Sequence, residues 1–198
     1  MRLGIYGGTF SPPHTGHTEA ARAFADAMAL DKLLIIPTHI PPHKLFGEEA
    51  SSLERLEMCR LAFSGIPHAE ISDMEIKRGG KSYTYLTLEE LKNEADELYF
   101  LCGTDMLLTL DEWKNFERVF ELATICYVRR EANPEIDTKI ENKIKEYVES
   151  YSARIIKIPH TAIEISSTEL REAISLGNGA TMLPARVYDF IEQRGLYR

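Results

Sequence analysis

Short apolar runs recur along the chain at residues 3–6, 33–36, 98–102, 124–128 and 155–158, each closed by glycine, proline or charge. Runs of this length, rich in Leu and Ile, predict strands buried on both faces. Between them, residues 19–30, 53–63 and 85–93 carry apolar positions at helical spacing and supply the crossovers of a parallel sheet. The alternation predicts an α/β, doubly wound, Rossmann-like parallel sheet with helices on both faces. Residues 71–76 read as a further strand near the sheet edge.

After Pro134 the chain places Ile136, Ile140, Ile144 and Val148 at intervals of four among Glu and Lys, the pattern of an amphipathic surface helix. Ser166 and Glu169 are spaced as a capping box ahead of Leu170 and Ile174, with Gly177 placed to stop that helix. Pro184 opens a last helix through Val187, Phe190 and Ile191. Neither a repeat nor a linker-like tract interrupts the pattern, so residues 1–198 are expected to form one domain with C-terminal helices.

Composition narrows the function classes. A chain of 198 residues with 44% hydrophobic content can bury one sizeable core. Its 31 acidic against 23 basic residues give a formal charge of −8, which argues against nucleic acid or an anionic membrane as partner. Any anion it binds must be held by a local site. Cys59, Cys102 and Cys126 are odd in number, widely spaced and set among apolar neighbours, a pattern of neither a disulfide framework nor a CxxC zinc site. No signal-peptide pattern develops before the first Gly-Gly pair, and no apolar stretch approaches the roughly 20 residues of a spanning helix. A soluble, cytoplasmic protein is expected.

The first strand runs into Gly7-Gly8-Thr9-Phe10-Ser11-Pro12-Pro13-His14-Thr15-Gly16-His17, and a helical pattern follows at once. Adjacent glycines allow close backbone approach to a ligand, and a helix start adds unpaired N–H donors and a partial positive charge. His14 and His17, with Gly16 between them, can each donate a hydrogen bond to a charged oxygen at that helix entrance. The spacing matches neither GxGxxG nor GxxxxGK[ST], so phosphate contact falls to histidines. Taken singly, a histidine is commonly structural and a Gly-Gly pair commonly a tight turn; together and in this order they favour phosphate. His39, His43, His68 and His160 show no metal-ligand spacing, and no protein metal site is expected.

Gly7 to His17, read with Ile165-Ser166-Ser167-Thr168-Glu169-Leu170-Arg171, resembles the HxGH nucleotidylyltransferase superfamily. Within it, Pro41-Pro42-His43-Lys44, Ser82-Tyr83-Thr84 and Gly103-Thr104-Asp105 are similar to the bacterial nicotinate-nucleotide adenylyltransferases over essentially the whole chain. The resemblance implies ATP, carried with Mg2+, and nicotinate mononucleotide as substrates, and NAD biosynthesis as the setting. It implies His14, His17 and Arg171 as catalytic residues. Gly7, Gly8, Thr9, Phe10, Gly16, Ser166 and Ser167 would bind ATP, with Thr168 helping to start the helix. Lys44 would meet the mononucleotide phosphate, Thr84 the nicotinate and Asp105 a ribose hydroxyl, while Trp113 would stack on the pyridine ring. Ser11 and Leu86 depart from the family, which commonly carries Asp at both.

The residues make physical sense beside the resemblance. Two prolines hold Lys44 on a stiff segment, so a preset cation loses little entropy on binding, although an exposed lysine needs no such role. Asp105 follows a strand end, where open parallel sheets bind ligands, yet it also suits a helix N-cap. Trp113 could stack on a ligand or fill the core. Arg171 and Ser167 lie four apart on one helix and can face one polyphosphate; a surface ion pair is the plainer role for the arginine. The chemistry implied is in-line attack of the mononucleotide phosphate on the α-phosphorus of ATP, with no covalent intermediate. Alternatives are another acceptor of the superfamily, phosphopantetheine or glycerol phosphate, and a non-catalytic nucleotide-sensing module. A homo-oligomer is left open.

Overall fold

The computed structural model describes residues 1–42, 50–129, 134–160 and 165–198. Six strands form one parallel sheet: β1 Arg2–Gly8, β2 Lys32–Pro37, β3 Ala69–Ile71, β4 Glu97–Gly103, β5 Thr124–Val128 and β6 Ile155–Lys157. Their order is β3-β2-β1-β4-β5-β6, so the chain builds outward from β1 on one side, then returns to its other edge and builds outward again. The reversal lies between β1 and β4, where a crevice opens at the carboxyl ends of open α/β sheets.

Strict alternation along each strand assigns the two faces. Leu3, Ile5, Leu34, Ile36, Phe100, Cys102, Ile125 and Tyr127 turn to one layer, built on helices α4 Thr84–Leu91, α5 Thr104–Leu108, α6 Phe116–Leu122 and α7 Pro134–Tyr151. Tyr6, Leu33, Ile35, Tyr99, Leu101, Cys126 and Val128 turn to the other, against α1 Thr15–Met28 and α2 Ser52–Phe63. Gly4 lies where α1 crosses β1: a Cβ there would sit 2.3 Å from Leu30 Cδ1 and 2.9 Å from Phe24 Cε1. A third cluster joins Met58 of α2 to Leu170 and Ile174 of α8 Ser167–Ser175 and to Val187 and Ile191 of α9 Ala185–Arg194. The three cysteines are free and buried, and burial pushes the Cys126 thiol up to about 12, as expected of core residues. Among the described residues no helix is long and apolar enough to cross a membrane.

Two expectations shift in detail. Of residues 71–76 only Ile71 is strand; β3 pairs with β2 through three residues, and Met74–Arg78 then forms the short helix α3, its first N–H taken by Ser72 Oγ at 3.3 Å. In α7 the core face is Ile136, Ile140, Ile144 and Tyr147, while Val148 is exposed. An interval of four overshoots the helical turn by about 40° each time, so a strict four-spaced stripe walks off the face that a three-residue step restores. Ser166 caps α8 as expected, accepting from Glu169 N–H at 3.1 Å, and Gly177 follows the helix end with φ 78°. Thr168 is the second residue of the helix, within its first turn.

Candidate active site

One cleft opens over the reversal point. Gly7, Gly8, Thr9, Phe10 and His17 line it from the β1 side, Gly103, Asp105 and Trp113 from the β4 side, Thr84 from the start of α4, and Ser167 from the start of α8. Sequence-distant motifs thus converge on one space. His14, Gly16 and His17 line a smaller cavity next to it together with Arg129 and His160. Lys44 lies outside the described residues.

The loop after β1 is held by its own aromatic packing. Phe10 adopts a left-handed conformation, φ 50°, unusual for a residue with a side chain, and is compensated by burial. Its ring meets Tyr6, His17 and Phe63 edge-on at centroid distances of 5.4, 5.1 and 5.6 Å. A Cβ on Gly8 would stand 3.0 Å from that ring, so glycine lets the loop fold back over it. His14 caps α1 with extended backbone, and its N–H donates to His17 Nδ1 at 3.2 Å. That bond assigns the neutral His17 tautomer: Nδ1 accepts, so Nε2 carries the hydrogen. The two rings stack at 3.7 Å, 32° from parallel. A buried histidine pair is thereby oriented by backbone at a helix N-terminus, where donors and the helix field favour an anion.

The C-terminal segment closes on this loop. Arg171 donates to the Ser11 carbonyl at 3.0 Å, Ser11 Oγ lies 3.1 Å from the Tyr197 hydroxyl, and Thr15 donates to the Met182 carbonyl at 3.2 Å. Arg171 therefore braces the loop and α8 at once. Ser166 is occupied as cap, with its hydroxyl 2.7 Å from the Glu169 carboxylate, while Ser167 next to it faces the cleft.

On the opposite wall, Gly103 caps α5, so Asp105 is not the cap; it sits exposed in the first turn and faces the cleft. Trp113 is half-buried, meets Phe100 edge-on at 6.1 Å and still lines the cleft, combining the packing role with a free face. The turn before it is pinned by Asp111, which receives the Tyr147 hydroxyl at 2.8 Å and Lys143 Nζ at 2.7 Å. Burial pushes the Asp111 carboxyl up, but the bonds from Lys143 and Tyr147 outweigh it and hold the group below the usual aspartate range.

Several residues that shape the cleft were given no role of their own by the sequence. Arg55 is 1% exposed, and its guanidinium donates to the carbonyls of Thr9, Thr38 and His39 at 2.8, 2.7 and 3.0 Å. It ties the loops after β1 and β2 together, and burial lowers its pKa from the usual arginine value. With the Thr9 carbonyl turned to Arg55, the planar peptide turns the Phe10 N–H the other way. Glu75, also buried, accepts from Thr87 Oγ1 at 2.5 Å, and Thr87 accepts from Arg78 at 2.9 Å, bracing α3 against α4. Ser82 accepts from His39 N–H at 2.9 Å and joins the chain beyond β2 to the start of α4. Among the described residues, no cluster of three or more His, Cys, Asp and Glu stands ready to hold a metal ion.

The model of the cytidylyltransferase-like family matches residues 5–173. A probable nicotinate-nucleotide adenylyltransferase of Desulfatibacillum aliphaticivorans is 38% identical, with all of both chains covered. One of Listeria monocytogenes serotype 4a is 37% identical, covering 99% of this chain and 97% of that protein. The chain belongs to the nicotinate-nucleotide adenylyltransferase family. In three dimensions it is similar to Plasmodium falciparum nicotinic acid mononucleotide adenylyltransferase complexed with NaAD, with a TM-score of 0.75, 18% identity and coverage of 99% and 97%. The same Plasmodium enzyme complexed with APC gives a TM-score of 0.74 at 17% identity, covering 99% and 96%. At these identities the likeness establishes the adenylyltransferase fold. Of the two departures from the family pattern, Ser11 forms the tie to Tyr197, and Leu86 is half-buried in α4, beside the cleft-lining Thr87.

Proposed function

We propose that the chain transfers the adenylyl group of ATP to nicotinate mononucleotide, giving nicotinate adenine dinucleotide and pyrophosphate. The observation that carries this reading is the closure of α8 on the first loop: His17 and Ser167 line the same cleft as Thr84, Asp105 and Trp113, which supports a triphosphate and an acceptor meeting in one space.

In this reading His14, His17 and Arg171 stabilise charge on the phosphates, and Gly7, Gly8, Thr9, Phe10, Gly16, Ser166 and Ser167 shape the ATP site. Thr84, Asp105, Trp113 and Lys44 hold the mononucleotide. An oxygen of the mononucleotide phosphate forms the new bond to the α-phosphorus of ATP. The bond from that phosphorus to the bridging oxygen breaks, and its electron pair leaves with pyrophosphate. No protein nucleophile takes part, so rate derives from positioning and from donors aimed at the phosphoryl oxygens. His17 Nε2–H is one such donor, fixed before substrate arrives by the bond to its other nitrogen. Mg2+ enters as Mg-ATP and neutralises triphosphate charge, with ligands mainly from phosphate and water.

The test is pyrophosphate release by the purified protein with ATP and Mg2+, run in parallel with nicotinate mononucleotide, nicotinamide mononucleotide and phosphopantetheine. Release with the nicotinate substrate is expected. Release with phosphopantetheine alone would move the acceptor, and tight ATP binding without release in any arm would favour a nucleotide-sensing module.

A further inference from the structure

Lys114 stands across the acceptor wall from one proposed contact to another. It follows Trp113 in the chain, and its Nζ lies 4.7 Å from the centroid of the Tyr83 ring, the residue that precedes Thr84 and caps α4. All four residues line the cleft. Lys114 is itself exposed, but the backbone that carries it is held on both sides. Trp113 is packed on Phe100, Asp111 behind it is bonded to Tyr147 and Lys143, and Asn115 ahead of it turns the chain with φ 54° into α6. The aromatic face of Tyr83 then holds the ammonium by a cation–π contact, which lowers the entropy lost when it engages a ligand.

Charge makes the position informative. Among the described residues that line the cleft, Lys114 is the one lysine or arginine, against the carboxylates of Glu75 and Asp105. Those two carboxylates repel an anion, so on this wall the lysine is the side chain that can attract an anionic group, and it gains little from a neutral one. Trp113 beside it, and Thr84 beside Tyr83, are the residues placed around the ring of the acceptor, not around its phosphate. The geometry points to Lys114 as a specificity-determining residue that favours an acceptor with an acidic ring substituent over its neutral amide. This rests on the acceptor reading given above.

The two candidate acceptors differ only in that substituent, so they separate the ring from everything else. Dissociation constants of nicotinate and nicotinamide mononucleotide are to be measured by calorimetry on the intact protein and on Lys114→Met and Lys114→Arg, with kcat/KM alongside. Lys114→Met is expected to weaken nicotinate mononucleotide by about tenfold, the scale of one charge-assisted contact, with nicotinamide mononucleotide changed less than about twofold. Lys114→Arg should restore most of the difference, and added salt should narrow it in the unmodified protein but not in Lys114→Met. Equal weakening of both ligands would mean that the cation serves their shared phosphate or ribose and would overturn the assignment. No change in either would overturn it as well. Failure of the unmodified protein to use nicotinate mononucleotide at all is a different result: it removes the acceptor reading and, with it, this inference.

Discussion

Arg55→Met removes a buried guanidinium while keeping a long side chain of similar reach. Three carbonyls, those of Thr9, Thr38 and His39, lose donors that stood at 2.8, 2.7 and 3.0 Å. An acceptor left unpaired inside a protein costs about 1–3 kcal/mol, so three give roughly 3–9 kcal/mol. Against this, the variant no longer strips water from a cation that is 1% exposed, a relief of several kcal/mol. The difference leaves a net destabilisation of about 2–4 kcal/mol, or roughly 5–15 °C in Tm for a chain of this size. Function should suffer beyond stability, because both loops released by the change line the cleft. Urea unfolding gives the first quantity; steady-state rates with varied ATP, measured well below Tm, give the second, where a raised KM for ATP is expected. Arg55→Lys keeps the charge without the fork and should fall between. A methionine variant within about 0.5 kcal/mol of the original protein and with unchanged KM would refute the reasoning.

His17→Asn keeps an acceptor for the His14 N–H and deletes the Nε2 donor, so turnover should fall by about 10²–10³ with Tm nearly unchanged; a rate near the original would remove His17 from the chemistry. Asp111 has its folded pKa lowered, so its stabilising contribution is fully present above the unfolded value of about 3.9 and is lost as pH falls through the folded value. Unfolding curves of Asp111→Asn and the original protein should therefore differ by a constant amount above about pH 5 and draw together in acid, whereas parallel curves down to the acid limit would contradict that origin. Gly4→Ala puts a Cβ 2.3 Å from Leu30 Cδ1 and should destabilise by about 1–3 kcal/mol while leaving KM values alone, since β1 and α1 must part at that crossing; circular dichroism melts against kinetics at low temperature would check both.

How much of this was legible before folding depends on what each residue answers to. Strands of a parallel sheet are buried on both faces, so β1, β2, β4 and β5 announce themselves as unbroken apolar runs. The edge element failed because three residues of Ala69–Ile71 carry no pattern and the following residues obey a local serine cap. The first loop and the α8 segment were readable because backbone chemistry restricts who can stand there: glycine under the Phe10 ring, serine at the cap. Arg55 was not, because a lone charge between Glu54 and Leu56 reads as solvated face. Its only trace is that Cys59, one turn on, and Met58 are apolar and buried beside it. Glu75 and Lys114 are likewise ordinary as letters and acquire meaning only from Thr87 and Tyr83, which the folded chain brings to them.

The ties of Ser11 to Tyr197, Arg171 to Ser11 and Thr15 to Met182 span 186, 160 and 167 residues. Closing loops of that length adds only a logarithmic entropy term to stability, but contacts so distant along the chain are among the slowest to find each other. During synthesis the loop after β1 leaves the ribosome early and waits until the last helices arrive to brace it. A chain truncated before α8 would thus keep all six strands and leave the first loop unbraced, and the finished cleft would arise late, as one of the final events of folding.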